Sequence, residues 1–467
     1  MLTRLRLQNF KAWKDTGQIR LAPLTVLFGT NSAGKTSIPQ LLLLLKQTAE
    51  SSDRQRALQF GDDRTAVDLG TFGDVVHAHN LESQLKFELS WTLGKALTIT
   101  DPVSRKSFRG DSLSFEATIE ADSRQQPFVR CFEYALEQGD RAIPDKGYRL
   151  TLDARLDKHK DDGKYDLESQ RYQLRRHQGR AWPLPGPVRF YGFPSEANAY
   201  HQNAEFTSDL ALEMERLLSS IYYVGPLREY PRRLYAWSGE TPDHVGAKGD
   251  RSVEAILAGA QRSFNYKAKR KKMPLAELVA ERLHRMGLIS EFHVRPLVEH
   301  RKEYEVLVRT SSRLPEVRLT DVGFGVSQVL PVIVECFFVP ARSIVIFEQP
   351  EIHLHPRVQA DLADLFVDAV NAREDGVPRE CQFIVESHSE HFLRRLQRRI
   401  AERALSTDET ALYFVRAQGE SARIEELEVD KYGNISNWPP GFFGDEMADL
   451  VARADAQARR MDAGNAG

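Results

Sequence analysis

Hydrophobic and polar positions alternate near the N-terminus, and short apolar runs recur further along the chain. Residues 2–7 alternate in the manner of a strand, and the apolar, partly β-branched run 24–28 predicts a second strand. A helical stretch follows over residues 36–48, where Pro39 predicts a kink or a later helix start because its ring removes a backbone hydrogen bond. From residue 303 to 400, strand-like and helix-like runs alternate, which is typical of a parallel α/β sheet.

Two other patterns lie between these halves. β-rich runs recur between about residues 75 and 220, and residues 250–288 have a helical pattern apart from one basic run. We therefore predict the following division: a core of residues 1–75 and 300–435, a β-rich insertion of residues 76–220, a linker and helical subdomain of residues 221–299, and a C-terminal tail of residues 436–467.

Composition excludes several classes of protein. Of 467 residues, 41% are hydrophobic and 28% are charged, which is typical of a globular soluble protein. The net charge of −2 means that any nucleic-acid contact would need a local basic patch. No apolar run approaches the roughly 18 residues that cross a bilayer, so we expect no membrane partner. Three distant cysteines without a CxxC pair argue against a disulfide framework or a zinc site and indicate the cytoplasm.

The strongest motif is Gly29-Thr-Asn-Ser-Ala-Gly-Lys-Thr36, which fits G-x-x-x-x-G-K-[ST] between a predicted strand and a helix. Its glycines permit a tight turn whose N–H groups point at phosphates, and the helix N-terminus adds partial positive charge. Lys35 would contact the β- and γ-phosphates of ATP, and Thr36 would offer its hydroxyl to Mg²⁺. The predicted nucleotide-binding residues of this loop are Gly29, Asn31, Ser32, Ala33, Gly34, Lys35, Thr36 and Ser37. The alternative is an ordinary glycine-rich turn.

A second apolar strand, residues 343–347, ends at Glu348. A P-loop site needs a carboxylate at the end of a neighbouring strand to hold Mg²⁺ through water, so we predict Thr36 and Glu348 as metal residues. A third strand, residues 382–385, is followed by His388, which could reach a γ-phosphate or the attacking water. The alternative for Glu348 is a strand that simply ends before a proline turn, and the alternative for His388 is an ordinary loop histidine.

A fourth element, residues 319–328, places small residues before the helical run 329–338. A helix start of this kind can bind an anion. A spare site of this kind in one chain suggests a nucleotide shared between two copies. We therefore predict that Gly325, Ser327 and Gln328 also contact nucleotide; a plain loop and helix is the alternative.

These four elements, in this order, resemble the ABC ATPase superfamily. They are most similar to its branch containing RecF, the structural-maintenance-of-chromosomes heads and the overcoming-lysogenization-defect nucleases. The opening run Leu5-Arg-Leu-Gln-Asn-Phe-Lys11 is similar to the first strand of those proteins. The matching segments are Gly29–Ser37 for the Walker A loop, Gly323–Gln328 for the signature, Glu348–Pro350 for Walker B, Ile352–Pro356 for the D-loop, and His388 for the switch histidine. A group of predicted bacterial AAA-family ATPases also shares the runs 223–228 and 432–443.

The resemblance implies an α/β P-loop NTPase of ABC type, with a mixed sheet, flanking helices, an inserted β-rich lobe and a helical subdomain. It implies ATP and Mg²⁺ as cofactors, and a homodimer or higher homo-oligomer formed by an ATP sandwich. Such a protein would be a nucleotide-dependent conformational switch in DNA-related or anti-phage defence, with a separate nuclease or toxin as effector.

The main alternative is an ATP-dependent nuclease of the overcoming-lysogenization-defect type. Those enzymes add an acidic metal-binding domain, for which the roughly 70 residues after the arginine-rich helix are too few, and Asp430 and Glu446 form no convincing cluster. A P-loop kinase acting on a small molecule is a further alternative, although such kinases seldom need the signature-like segment.

Two departures from the family pattern matter. The signature differs from Leu-Ser-Gly-Gly-Gln, and Gln349 stands where these enzymes carry the glutamate that polarises water. An amide cannot accept a proton at neutral pH, although it can orient water. We therefore predict catalytic roles for Glu348, Gln349 and His388 and a slow ATPase, with Glu351 as a possible substitute base. Gln47 and Gln59 are Q-loop candidates by position alone.

Basic runs at Lys267–Lys272 and His391–Arg403 have two interpretations. A charge run is commonly a solvated face. The other interpretation is contact with phosphate backbones, which would give salt-dependent DNA binding without sequence preference.

Overall fold

The structure is a computed structural model that describes residues 1–137, 150–156, 165–169, 172–178, 182–265, 272–439, 442, 451–453 and 456–457. None of the helices in this described part of the chain is both long and apolar enough to cross a bilayer. Most of the basic run 267–272 lies outside the described residues, as do Glu446 and most of the predicted tail.

The described helices and strands alternate in an α/β order. The helices are α1 (Ser37–Glu50), α2 (Phe72–Val75), α3 (Ser195–Tyr200), α4 (Phe206–Ser219), α5 (Ser252–Ala258), α6 (Leu275–Arg285), α7 (Phe324–Phe338), α8 (Pro356–Val370) and α9 (Glu390–Ala401). The strands are β1 (Leu2–Phe10), β2 (Trp13–Asp15), β3 (Ile19–Arg20), β4 (Leu24–Gly29), β5 (Leu85–Thr100), β6 (Ser107–Ala121), β7 (Pro127–Glu137), β8 (Leu150–Leu156), β9 (Tyr165–Ser169), β10 (Ile221–Val224), β11 (Tyr235–Ala236), β12 (Ser263–Asn265), β13 (Met273–Pro274), β14 (Glu291–Pro296), β15 (Glu303–Arg309), β16 (Val317–Arg318), β17 (Ile344–Glu348), β18 (Arg373–Glu374), β19 (Val377–Pro378), β20 (Gln382–Glu386), β21 (Thr410–Gln418) and β22 (Ser421–Glu426).

The central sheet has the strand order β10-β17-β20-β4-β21-β22, and all pairs except the last are parallel. Its strands are apolar on both faces because helices cover both sides. Ile344 and Ile346 of β17 pack in the cluster that contains α1 and α4. Val345 and Phe347 point the other way, into the cluster formed with α7, α8 and α9. The predicted α/β fold class is therefore confirmed, and β10, from the predicted linker, also belongs to this sheet.

A second, antiparallel sheet follows the order β2-β1-β5-β6-β7-β8-β9, with β3 paired to β1. The β-rich region after residue 76 therefore continues the sheet that begins at the N-terminal strand, and a boundary near residue 75 falls within one sheet. Gln382, at the start of β20, joins the two sheets. Its side chain accepts a hydrogen bond from the Leu2 amide at 3.0 Å and donates to the Leu2 and Ala22 carbonyls at 2.8 and 3.0 Å.

The start of α1 agrees with the sequence prediction, whereas the start of α7 does not. α1 begins at Ser37, so Pro39 occupies its first turn, where a missing N–H costs nothing, as the later-start prediction required. α7 begins at Phe324, five residues before the predicted start at residue 329. The small residues of the signature-like segment therefore lie inside the helix, because burial of its nearly continuous apolar run outweighs the weak helix propensity of glycine and serine.

The predicted helical region 250–288 consists of α5 and α6 separated by short strands. β12 and β13 pair with each other, and β18 and β19 of the C-terminal half complete their sheet. A further small sheet, formed by β11, β15, β14 and β16, packs beside α6.

Candidate functional site

The glycine-rich loop leaves β4 in the middle of the central sheet and enters α1. Gly29 has φ +145°, and a Cβ atom there would lie 2.0 Å from the carbonyl oxygen of Val415 on β21. Only glycine permits this approach of the two backbones. At the other end of the loop, the Trp13 indole N–H donates to the Gly34 carbonyl at 3.0 Å, which fixes the loop to the β1–β2 hairpin.

Lys35 folds back over its own loop. Its ammonium donates to the carbonyls of Gly29 and Thr30 at 3.1 and 2.7 Å, and its side chain is buried. Burial lowers the pKa of Lys35, while the nearby charges of Glu386 and Glu351 raise it. The loop thus presents one cation towards carboxylates, in the arrangement that an anionic phosphate chain with its metal ion would enter.

Two buried glutamates end adjacent parallel strands, Glu348 on β17 and Glu386 on β20, and they are paired in register. β20 lies between β17 and the strand of the glycine-rich loop, so Glu386 is nearer to that loop. The Thr36 hydroxyl donates to the Glu386 carboxylate, with distances of 2.9 Å to Oε2 and 3.2 Å to Oε1. Glu348 instead accepts a hydrogen bond from the Tyr223 hydroxyl on β10.

The electrostatics of this pair fit a divalent cation. Burial, followed by the charge of Glu386, raises the pKa of Glu348 to about 7. Burial also raises the pKa of Glu386, against the opposing effects of Lys35, Thr36 and Gln349. A hydroxyl and two mutually repelling carboxylates form the oxygen-rich donor set that Mg²⁺ prefers, and the cation would relieve their repulsion.

The turn after Glu348 runs alongside the end of β20. Gln349 has φ +44°; its amide donates to the Glu386 carbonyl at 2.9 Å, and its side chain hydrogen-bonds the Glu386 carboxylate. Two residues on, the buried Glu351 carboxylate accepts a hydrogen bond from the His388 amide at 2.6 Å. Burial raises the pKa of Glu351, and the guanidinium of Arg228 opposes that effect.

His388 follows β20 and is half-buried beside the loop. Its ring hydrogen-bonds the Gly29 carbonyl. Burial, and then the charge of Lys35, lowers the pKa of His388, so the ring is neutral at physiological pH. A neutral imidazole here can donate or accept a hydrogen bond close to the expected position of the terminal phosphate.

A cavity of about 610 Å³ lies between these elements. Its lining is Asn31, Ser32, Ala33, Gly34, Lys35, Thr36, Gln349, Glu351, Ile352, His353, Gln359, Glu386, His388 and Ser389. Most of the predicted loop residues are therefore brought together with Gln349 and His388. The predicted residues Glu348, Gly29 and Ser37 are not part of this lining.

The predicted signature residues lie apart from the cavity, at the start of α7. The Ser327 hydroxyl donates to the Phe324 carbonyl at 2.7 Å, and Gln328 is buried. The Phe324 ring contacts the His353 ring, with 5.4 Å between centroids, so the helix start is next to the D-loop-like turn. The contact of Gly325, Ser327 and Gln328 with a nucleotide of a second copy stays a prediction.

Neither Q-loop candidate lines the cavity. The Gln47 side chain donates to the Gln59 carbonyl at 2.7 Å and accepts from the Val67 amide at 3.3 Å. These contacts pin the loop that follows α1.

A family model described as "AAA domain, putative AbiEii toxin, Type IV TA system" matches residues 136–394, which is more than half of the chain. The chain belongs to this AAA family. A model described as "AAA ATPase domain" matches residues 1–140 of the AAA-family chain, and one described as "Protein of unknown function (DUF3696)" matches residues 405–452. No curated protein matches the sequence. The AAA matches confirm the predicted P-loop ATPase.

Solved structures similar to this AAA-family ATPase include an SMC head bound to the C-winged helix domain of ScpA. It shares 12% identity at a TM-score of 0.42, over 92% of this chain and 98% of that one. The SMC head domain from Thermotoga maritima shares 11% identity at a TM-score of 0.39, over 92% and 99%. Likeness at this level adds nothing on function.

Sequence reasoning about this AAA-family ATPase missed Glu386. The signal was available, because Glu386 ends a buried apolar strand in the same way as Glu348. The order of strands across the sheet decides which of the two is nearer to Thr36, and that order depends on tertiary pairing.

Proposed function

We propose that this protein is a nucleotide-dependent switch that binds ATP with Mg²⁺ and hydrolyses it slowly. The observation that carries the proposal is one cavity in which Lys35 and Thr36 of the glycine-rich loop meet Glu386, Gln349 and His388. These residues come from three parallel strand ends of one sheet. Ligands of open α/β sheets bind outside the carboxyl ends of the strands, which is where this cavity lies.

The donor set supports a division of roles. Lys35 supplies the positive charge for the phosphates, and Thr36 with a carboxylate at a neighbouring strand end would hold Mg²⁺, which neutralises charge on the transferred phosphoryl group. Gln349 can orient a water molecule but cannot take its proton, and the missing base costs about 10²–10⁴ in rate. Slow hydrolysis would leave the protein in its ATP-bound form for a long time.

We further propose that two copies pair head to tail around ATP. The start of α7 supports this, because its N-terminal Gly323 is exposed and its Phe324 lies beside His353 at the cavity rim. The N-terminus of a fifteen-residue helix is suited to a phosphate brought by the second copy. Each nucleotide would then stabilise the dimer by mass action.

The partner that reads this switch is proposed to be a separate effector, a nuclease or a toxin, in cytoplasmic anti-phage defence. The family description, which names a toxin of a toxin–antitoxin system, supports that setting. DNA binding through α9 is less well supported, because its arginines are engaged in ion pairs within the protein: Arg394 with Glu390, Arg395 with Asp361 and Asp364, Arg398 with Glu402, and Arg399 with Asp364 and Glu402.

A nuclease activity of the chain itself gains no support from the described residues. The acid–histidine group there that is close enough to hold a metal ion is Glu291, His293 and Glu316. Both carboxylates already form ion pairs with Arg309, and Glu316 also pairs with Arg295. Asp430 accepts hydrogen bonds within its own turn.

Mass photometry with and without MgATP tests the proposal. The wild-type protein should shift from one to two copies with MgATP, whereas Lys35→Ala should stay monomeric because it loses the phosphate-binding cation. Arg342→Ala, which removes an exposed cation paired with Glu380, is a control and should dimerise normally. Equal mass distributions in every condition, together with no binding of a fluorescent ATP analogue, would refute the proposal.

A further inference from the structure

The two glutamates at the strand ends are not equivalent. Across the sheet, neighbouring strands lie about 4.8 Å apart. Glu386 is on the strand next to that of the glycine-rich loop, and Glu348 is on the strand after it. The backbone of Glu348 is therefore about twice as far from the loop strand.

Hydrogen bonding divides the two glutamates in the same way. The Glu386 carboxylate accepts the Thr36 hydroxyl at 2.9 Å and lies within the field of Lys35. The partner of Glu348 is Tyr223, on the opposite side of β17 from the loop. Glu386 lines the cavity, whereas Glu348 does not.

The neighbour of Glu348 in sequence fits the same assignment. The Gln349 side chain hydrogen-bonds the Glu386 carboxylate, and its backbone amide donates to the Glu386 carbonyl. An amide can donate to a carboxylate, whereas a glutamate at position 349 would place a third negative charge in a buried group. The glutamine at position 349, which departs from the family pattern, is therefore explained by its hydrogen bonds to Glu386.

We propose that Glu386, and not Glu348, is the carboxylate that positions the Mg²⁺ ion of bound ATP. The inference rests on the proposed ATP-binding function. Glu386 holds the Thr36 hydroxyl in place and lies on the cavity side, where the metal ion would be. Glu348 lies beside it on β17, with its carboxylate hydrogen-bonded by the Tyr223 hydroxyl. In this role Glu386 is a positioning residue for the metal, and Gln349 orients Glu386.

The experiment compares Glu386→Gln with Glu348→Gln, which remove equivalent charges from paired positions of adjacent strands. Affinity for a fluorescent ATP analogue is measured with Mg²⁺ and with a chelator, and the ratio of the two affinities is the readout. Glu380→Gln, at the exposed turn before the other end of β20, is the matched control and should keep the wild-type ratio.

Glu386→Gln should reduce the Mg²⁺-dependent gain in affinity by about 10–100-fold, the usual effect of losing a residue that supports a metal site. Glu348→Gln should change it by less than about threefold. Glu386→Asp keeps the charge and should recover part of the gain, which separates loss of the metal from misfolding. Urea unfolding midpoints check that every variant is folded.

A larger loss in Glu348→Gln, or equal losses in both variants, would overturn the assignment. So would a Glu386→Asp variant that folds but recovers no more of the gain than Glu386→Gln. If the wild-type protein binds the analogue in neither condition, the proposed ATP-binding function fails instead, so the two failures can be told apart.

Discussion

A buried acid far from the cavity gives a sharp prediction on stability. Glu335 lies within α7 and is fully buried; one carboxylate oxygen accepts the Val245 amide at 3.0 Å. Its other oxygen has no hydrogen-bond partner among the described residues. Burial raises the pKa of Glu335 from its ordinary 4.5 to about 8, which the Val245 amide and Arg379 only partly oppose. The folded protein therefore holds a proton that the unfolded chain has lost.

The sign follows from this difference in bound protons. For an acid whose folded pKa is raised, the ionised form is penalised, so stability falls as pH rises from about 4.5 to about 8. Each pH unit inside that window costs about 1.36 kcal/mol. Between pH 6 and pH 9, Glu335 should therefore remove roughly 3 kcal/mol from the free energy of unfolding, most of it below pH 8. Glu335→Gln stays neutral and escapes this loss.

Urea unfolding of both proteins at pH 6 and pH 9 measures the effect, and hydrogen exchange of residues 243–249 reports it locally. The Glu335→Gln protein should gain roughly 3 kcal/mol relative to wild type between the two pH values. His244 is 3.8 Å away and burial lowers its pKa; both proteins keep this residue, so its own titration cancels in the comparison. Glu277→Gln, an exposed change on α6, is the control. If wild type and Glu335→Gln respond equally to pH, Glu335 is not a buried proton carrier and the reasoning fails.

Two further predictions concern the glycine-rich loop and the turn beside it. Gly29→Ala should lower the free energy of unfolding by about 2–6 kcal/mol, because the new Cβ atom is overpacked against Val415 and the residue is held at a positive φ. The control is Gly17→Ala, which has φ +65° but open space around it and should cost only about 1 kcal/mol. Equal urea midpoints for the two variants would contradict this prediction. Gln349→Glu supplies the missing base but also adds a negative charge beside Glu386, so its gain depends on Mg²⁺ to neutralise that group; in saturating Mg²⁺, ATP turnover should rise at least about tenfold, and a fast wild-type enzyme with an unaccelerated variant would refute the slow switch.

Local pattern was sufficient for the parts of the site that lie close together in the chain. The spacing from Gly29 to Thr36, between an apolar run and a helix, predicts a phosphate loop because its geometry is set by adjacent residues. The buried strand before Glu348 was also recognisable, since the apolar run is short and rich in β-branched residues, which favours a strand over a buried helix.

Features that depend on tertiary pairing were not predictable in this way. The neighbour relation between Glu386 and Thr36 joins residues 350 positions apart and requires the strand order. The start of α7 was placed too late because burial overrode the propensities of Gly325 and Ser327. The ion pairs that Arg395 and Arg399 of α9 form with Asp364 on α8 could not be predicted either, because Asp364 is more than 30 positions away in sequence.

Strand β20 makes two connections at its opposite ends. The Gln382 side chain hydrogen-bonds the backbone of Leu2 in β1, and the Glu386 carboxylate, four residues later, accepts a hydrogen bond from Thr36 of the phosphate loop. About 13 Å of fully buried, close-packed strand separates them, and such an element shifts as a unit more readily than it bends. Displacement of Glu386 by a bound metal ion would therefore be transmitted along β20 to Leu2 of β1, an inner strand of the antiparallel sheet, so this sheet is where we expect a surface that responds to the bound nucleotide.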